Sequence, residues 1–317
     1  MDSDDDQSIN FDPIFPILNN SSYSEELPVI TPKLTVKEIL AIPTYPLYFA
    51  KTLIQLGYEP LPPYKAKSLF GFGSTRMYLP GVFTYMRYIY IVDGPSGLFR
   101  GLGCSIVNGI VMRWTNSFTK EYIEDRIPYS SSNKSSIAKF TRKTMVEIVA
   151  SSWAVLLSQP FYIMTIRCMS QFIGGETVYS SFNIFKNLSV IYDNHGFQGF
   201  FVGFVPRLCL EASTIIMFNA LVECGKKFVP HNMDKDDRIE NFITILSRIF
   251  VTSVTYPLAL VSTISVINNC GLDAGIPPLM PIYKNWCEIL NDLTQKGHIN
   301  RGSRLFIRPY KTKLAIN

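Results

Sequence analysis

A degenerate module occurs three times along this chain at a nearly constant spacing. Each copy begins at a proline and ends at a pair of glycines. The prolines are Pro46, Pro160 and Pro257, and the glycine pairs are Gly94 with Gly101, Gly196 with Gly203, and Gly297 with Gly302. The last glycines of the copies lie 102 and then 99 residues apart. A fixed period predicts one structural unit used repeatedly, here over about residues 34–125, 140–230 and 240–310.

The third copy differs from the others after its last glycine. Gly101 and Gly203 are each followed by a long apolar stretch, whereas only 15 residues follow Gly302. A helix that spans a membrane needs about 20 apolar residues. We therefore expect the third repeat to lack its second long helix.

Five hydrophobic segments are predicted to be long helices, over about residues 36–57, 102–119, 145–172, 200–224 and 242–267. Residues 148–166 and 249–267 contain no charged residue, which is typical of membrane-spanning helices. Buried helices of a soluble α protein are the alternative. Each repeat also carries an amphipathic stretch, at about 82–90, 182–192 and 283–293, which predicts a connector helix. Such a helix would lie at the membrane interface, pack on its own bundle, or do both.

Charge divides the chain into two parts. Residues 1–33 hold seven acidic residues and one basic residue, and we expect a mostly disordered tail there, without a secretory signal. Residues 34–317, the expected membrane domain, carry a net charge of +11. This charge suits an anionic lipid surface. Nucleic-acid binding is disfavoured because the basic residues are spread over loops on both sides of the apolar segments.

Several polar residues within the apolar segments are candidates for a functional site, because ionisable groups inside a membrane are costly. On the second segment, Ser105, Asn108 and Asn116 share one helical face with Met112, and Arg113 lies beside them. On the fourth, Arg207 and Glu211 are one turn apart, so the alternative is a purely structural ion pair. The remaining candidates are Asn219, Arg248 and Lys51; the last two could instead extend to an interface.

No pattern of residues indicates catalysis. The three histidines are far apart, the six cysteines form no C-x-x-C pair, and no phosphate-binding loop is present. We therefore expect neither an enzyme nor a metal or cofactor site.

The proline-led helices, the connectors and the glycine closures together resemble the mitochondrial carrier family. In that family each proline opens the motif P-x-[DE]-x-x-[KR], whose charges pair between repeats to gate a transport path. Lys51 matches the first basic position, but the other five positions hold Tyr48, Tyr162, Thr165, Ala259 and Ser262. One charge of six remains, so the resemblance does not extend to an ion-pair gate, and a solute carrier is disfavoured.

Residues 57–63, 78–85 and 268–278 resemble a divergent branch of this family that resides in the outer mitochondrial membrane, and the likeness spans about residues 36–308. It implies an all-α membrane protein, a carrier-like bundle of three repeats that lacks the sixth transmembrane helix. It also implies an insertase for α-helical proteins, including tail-anchored ones. Lipid scrambling and docking of a pro-apoptotic Bcl-2 family protein are the alternatives that the resemblance offers.

The missing helix has a physical consequence in this interpretation. Six carrier helices close around a polar centre, and removing one opens the polar lining sideways to lipid. A hydrated groove of this kind would lower the cost of moving a client's polar flank, or a lipid headgroup, through the membrane. We expect Arg113, Asn116, Arg207, Glu211 and Asn219 to line it. The sequence does not separate an insertase from a scramblase.

Overall fold

The protein is described from a computed structural model, which covers residues 36–67, 75–127, 136–228 and 237–310. The predicted acidic tail, 1–33, lies outside the described residues. Within them the chain folds into α-helices, numbered α1 to α8 in chain order, and one small sheet.

All five predicted long helices form. They are α1 (Val36–Leu56), α3 (Leu102–Arg126), α4 (Ser136–Gly174), α6 (Phe204–Phe228) and α7 (Asp237–Ile267). Several are longer than predicted, since charged residues such as those at 120–126 end an apolar run without ending a helix. The fourth begins later than predicted, because Phe197–Phe201 forms a 3₁₀ turn first. Pro46, Pro160 and Pro257 each lie inside a helix that continues past them.

Three of these segments are long and apolar enough to cross a membrane. They are Ile137–Gly174, Phe197–Lys227 and Arg238–Ile267, judged by length and composition over the described residues. That α1 and α3 also cross the membrane stays a prediction.

The three connector helices form where they were predicted. They are α2 (Val82–Gly97), α5 (Ile184–His195) and α8 (Trp286–Gln295). The apolar residues that make these stretches amphipathic are only partly buried. On α2 the buried residues are Val82, Tyr85 and Ile89, whereas Phe83 and Tyr90 are exposed. Aromatic residues recur on both sides of the connectors, so apolar spacing alone did not identify the packed face.

The long helices pack in chain order. Helix α3 lies along α4, α4 along α6, and α6 along α7, while α1 contacts α3, α4 and α7. The larger hydrophobic core joins α4 and α7 and is built from side chains such as Ile163, Met164, Leu260 and Ile264. A second core packs α1 and α2 against Met169 and Phe172 of α4. The first long helices of the three repeats, α1, α4 and α7, therefore contact one another.

A three-stranded antiparallel sheet was not predicted. Strand β1 (Tyr64–Ala66) pairs with β2 (Arg76–Leu79), and β2 pairs with β3 (Arg308–Pro309) near the end of the described chain. Strands of two to four residues carry no readable alternation, and β2 and β3 are about 230 residues apart in sequence. The sheet connects the third repeat directly to the first.

Candidate functional site: the polar interior of the bundle

The residue before each repeat proline makes the same hydrogen bond in all three repeats. The Tyr45 hydroxyl donates to the carbonyl of Arg100 (2.6 Å), and the Tyr256 hydroxyl donates to that of Arg301 (2.7 Å). In the second repeat, Gln159 Nε2 donates to the carbonyl of Val202 (2.9 Å). Each accepting residue directly precedes the last glycine of its repeat. These bonds tie the start of each module to its end.

The last glycine of each repeat packs against the next repeat, and this relation is cyclic. All six motif glycines have positive φ, between 62° and 81°, which side chains other than glycine rarely adopt. A Cβ at Gly101 would lie 3.1 Å from the Thr165 carbonyl of α4, and one at Gly203 would lie 3.2 Å from the Ser262 carbonyl of α7. One at Gly302 would lie 2.9 Å from Gln55 Cγ of α1. The third repeat thus closes back onto the first.

Arg207 lies at the centre of the buried polar contacts. Its side chain is buried, and its guanidinium donates to Gln159 Oε1 (2.9 Å) and Ser158 Oγ (3.2 Å) of α4. It also contacts the Met112 sulfur of α3 (3.7 Å) and stacks over the Tyr162 ring at 4.3 Å. The guanidinium therefore links α3, α4 and α6.

Glu211 is buried one turn from Arg207, but the two form no ion pair in the described structure. The Arg207–Glu211 ion pair considered from the sequence is therefore not present. The guanidinium of Arg207 instead donates to neutral oxygens on α4. Both ionisable groups lie inside the bundle.

Asn219 belongs to a second polar cluster, three turns further along α6. Its side-chain amide donates to Glu147 Oε2 (2.6 Å) and to Thr144 Oγ1 (3.3 Å), both on α4. All three residues are buried. The structure therefore places Arg207 and Asn219 in two separate polar clusters against α4.

Helix α3 has a polar face and an aromatic face on opposite sides. The polar stripe comprises Ser105, Asn108, Met112 and Asn116. Of these, Met112 contacts Arg207. On the other side Trp114, Phe118 and Tyr122 are exposed and stack in sequence. Arg113 is half-buried beside the stripe. The stripe faces the interior and the aromatic ladder faces outwards.

Buried acceptor atoms on α3 have no hydrogen-bond partner among the described residues. They are Asn108 Oδ1, Asn116 Oδ1 and Thr115 Oγ1. A buried polar atom without a partner costs about 1–3 kcal/mol, so a native protein usually supplies one or recruits water. The stripe is therefore equipped to receive hydrogen-bond donors from outside the chain.

Lys51 and Arg248 lie away from the two clusters. The Lys51 ammonium lies over the Tyr256 ring (5.6 Å), where α1 meets α7. The Arg248 guanidinium lies over the Phe218 ring of α6 at 6.0 Å. Both side chains are partly buried, and each is held by an aromatic ring of a neighbouring helix.

Several buried polar residues were missed in the sequence analysis, among them Gln159, Glu147 and Arg167. Gln159 could have been found, because it occupies the pre-proline position that Tyr45 and Tyr256 share. Glu147 lies inside the third predicted segment, directly before the charge-free run 148–166, but was not chosen as a candidate. Arg167, 1% exposed, donates to the Val266 carbonyl (3.4 Å) and the Tyr179 hydroxyl (3.2 Å), and no local pattern marks it.

The described residues offer no group of three or more His, Cys, Asp or Glu side chains that could hold a metal ion. The six cysteines are all free, with Cys104, Cys168 and Cys270 buried. What the geometry presents is a set of hydrogen-bonding and charged groups inside long apolar helices.

Comparison with known proteins agrees with this architecture. The family model for "Mitochondrial carrier protein" matches residues 138–233. Mitochondrial carrier homolog 2 of Mus musculus is 34% identical, over 85% of this chain and 90% of its own length. The Homo sapiens protein of the same name is 32% identical over the same shares. Mitochondrial carrier homolog 1 of Mus musculus is 32% identical over 84% of this chain and 73% of its own. The resemblance found in the sequence is thus confirmed, and the chain belongs to the mitochondrial carrier homologs, a branch of the mitochondrial carrier family.

Proposed function

We propose that this protein is an insertase of the outer mitochondrial membrane, which helps α-helical proteins, including tail-anchored ones, to enter the bilayer. Its clients would be apolar helices with a polar flank. Its family membership supports a mitochondrial membrane location, and the polar interior supports the activity.

The observation that carries the proposal is the polar stripe of α3. Asn108 and Asn116, two turns apart, present buried acceptor atoms for which the described part of the chain supplies no donor. Met112 lies between them and contacts Arg207. A stripe whose acceptors lack hydrogen-bond donors suits a transient ligand. Water can donate to these acceptors when no client is bound, and a client's polar groups can replace the water as they pass. A helix serving only as an anchor gains nothing from such groups, since each unpaired one is a cost.

The second support is the end of the third repeat. After Gly302 the described chain forms a turn and strand β3, up to Tyr310. In our proposal this repeat contributes no second long helix, so part of the seam between α7 and α1 opens to lipid. Exposed apolar residues along α7 suit such a seam: Phe242, Ile245, Leu246, Ile249, Phe250 and Val254.

The two features together suggest how a client would pass. Its apolar helix stays in contact with lipid at the seam, and its polar flank crosses along the interior stripe. A charged group at the bilayer centre costs about 2.5–3.5 kcal/mol by insertion scales, and hydration or pairing inside the groove would lower that cost. The loss of five of the six gate charges argues against solute transport by alternating access.

A phospholipid scramblase is the second candidate, because a headgroup could use the same stripe. The test of both is reconstitution of the purified protein into liposomes, with client insertion and lipid flipping scored in one preparation. Insertion is expected to exceed that of protein-free liposomes. Flipping without insertion would support the scramblase, and neither activity would leave the docking of a Bcl-2 family partner as the alternative.

A further inference from the structure

The last described residues, 301–310, which we call the strap, bind the first repeat throughout their length. Arg301 Nε donates to the Gln55 carbonyl at the end of α1 (2.9 Å), while the Arg301 carbonyl accepts from Tyr256 of α7. Gly57, with φ of 89°, leaves room for the guanidinium, since a Cβ there would lie 2.6 Å from Arg301 Nη1. The strap therefore begins by joining α7 to α1.

The strap then continues through main-chain hydrogen bonds to the first repeat. The Leu305 carbonyl accepts from the Val82 amide (2.8 Å), at the start of α2. Strand β3 pairs with β2, placing Arg308 opposite Leu79, and the Tyr310 amide donates to the Met77 carbonyl (2.9 Å). These bonds depend on the backbone alone.

Arg308 fixes the far end of the strap. It is 6% exposed, forms an ion pair with Glu59, and donates to the Pro80 carbonyl (3.0 Å). An arginine that pairs with a carboxylate through two nitrogens is geometrically specific. Removing the Glu59 carboxylate would leave the buried Arg308 cation without its charge partner, which is destabilising.

Further side-chain contacts join α1, α4 and α7, the first long helices of the three repeats. Gln55 donates to the Tyr256 hydroxyl (3.1 Å) between α1 and α7. Between α4 and α7, Tyr162 contacts Thr263 (3.3 Å), and Arg167 reaches the Val266 carbonyl. Apart from Tyr256, which directly precedes Pro257, these residues follow the prolines of their helices, towards the connector helices.

We propose that the strap is a permanent closure of the connector side, so that the interior opens only to lipid and to the opposite face. The role of that interior rests on the proposed function, whereas the closure does not. A gate made of ion pairs can exchange them between two states. Here the pairing of β3 with β2, the Arg308–Glu59 ion pair and the Gly302 contact would have to break together.

Cross-linking tests whether the strap moves. The Phe83 and Phe306 rings lie 5.7 Å apart and both are exposed, so Phe83→Cys with Phe306→Cys gives a pair at the strap. The exposed Cys209, Cys224 and Cys287 are replaced by serine, and each single cysteine variant is the control. We expect a short bifunctional maleimide to cross-link the pair nearly completely, with client insertion into liposomes unchanged. A cross-link that abolishes insertion would make the strap a moving gate, and absence of cross-linking would refute its position.

Hydrogen exchange gives a second readout that needs no client. The amides of Val82 and Tyr310, which donate hydrogen bonds between the first repeat and the strap, should exchange as slowly in detergent as amides within α4. Fast exchange of both, with α4 protected, would contradict a permanent closure. If the parent protein inserts no client, the proposed function fails, and this measurement still decides the inference.

Discussion

At the scale of the residue, the buried guanidinium of Arg207 illustrates how the interior is organised. It donates to Ser158 and Gln159 of α4 and contacts Met112 of α3. The side-chain amide of Gln159 in turn donates to the carbonyl of Val202. One cation therefore links α3, α4 and α6 through two neutral oxygens and one sulfur. Arginine suits this place because its planar fork serves several acceptors at once.

Replacing Arg207 with leucine should lower thermal stability in detergent. Ser158 and Gln159 would each lose a buried partner, at about 1–3 kcal/mol each. Arg207→Lys should fall between leucine and the parent, since it keeps the charge but not the fork. The control is Arg87→Leu on the exposed face of α2, which should melt close to the parent. Equal melting temperatures for all four proteins would contradict a structural role for the fork.

At the scale of the element, the repeat is held by one pre-proline hydrogen bond and one glycine contact. All six glycines have positive φ. A Cβ would meet open space at the first glycine of each pair, which is Gly94, Gly196 or Gly297. At the second, which is Gly101, Gly203 or Gly302, it would contact the next repeat. The two glycines of a module thus serve different purposes. The first permits a turn, and the second permits a turn and a close approach between helices.

A series of alanine substitutions should separate these two purposes. Gly101→Ala combines strain at positive φ with contacts of 2.9 Å to Cys168 Cβ and 3.1 Å to the Thr165 carbonyl, so it should destabilise most. Gly94→Ala carries the strain alone, on the order of 1–2 kcal/mol. Gly109→Ala, inside α3 with nothing within 4 Å, should be neutral or stabilising by up to about 1 kcal/mol. Thermal melting in detergent gives the order, and a Gly101 variant as stable as the Gly109 variant would refute it.

At the scale of the whole molecule, the sequence predicted the helices well and the contacts between them poorly. The long helices and connectors follow from apolar runs and spacing, which are local properties. The strand pair of Leu79 with Arg308, and the bond from Asn219 to Glu147, join residues far apart in the chain. The direction of the Arg207 fork depended on which acceptors α4 offered, so a spacing of four residues to Glu211 was not enough to predict it.

Five membrane spans would place the connectors on one side of the membrane and the C-terminal ends of α3 and α6 on the other. Two exposed native cysteines test this arrangement, Cys224 near the end of α6 and Cys287 in α8. With the third exposed cysteine, Cys209, replaced by serine, a membrane-impermeant maleimide should label only one of the two in sealed vesicles. Permeabilised vesicles should label both. Labelling of both in sealed, uniformly oriented vesicles would contradict the five-span topology.

The central claim is that charged groups of the interior handle the polar flank of a client. The most direct measurement compares insertion rates into liposomes for one tail-anchored client with a positively charged flank and the same client with a neutral flank. Removing one charge from the path changes the barrier by on the order of 1 kcal/mol, or roughly fivefold in rate. Arg113→Leu should therefore speed the positively flanked client, Glu211→Gln should slow it, and the neutral client should change little. Equal rates for both variants and the parent, at equal protein levels, would contradict the account.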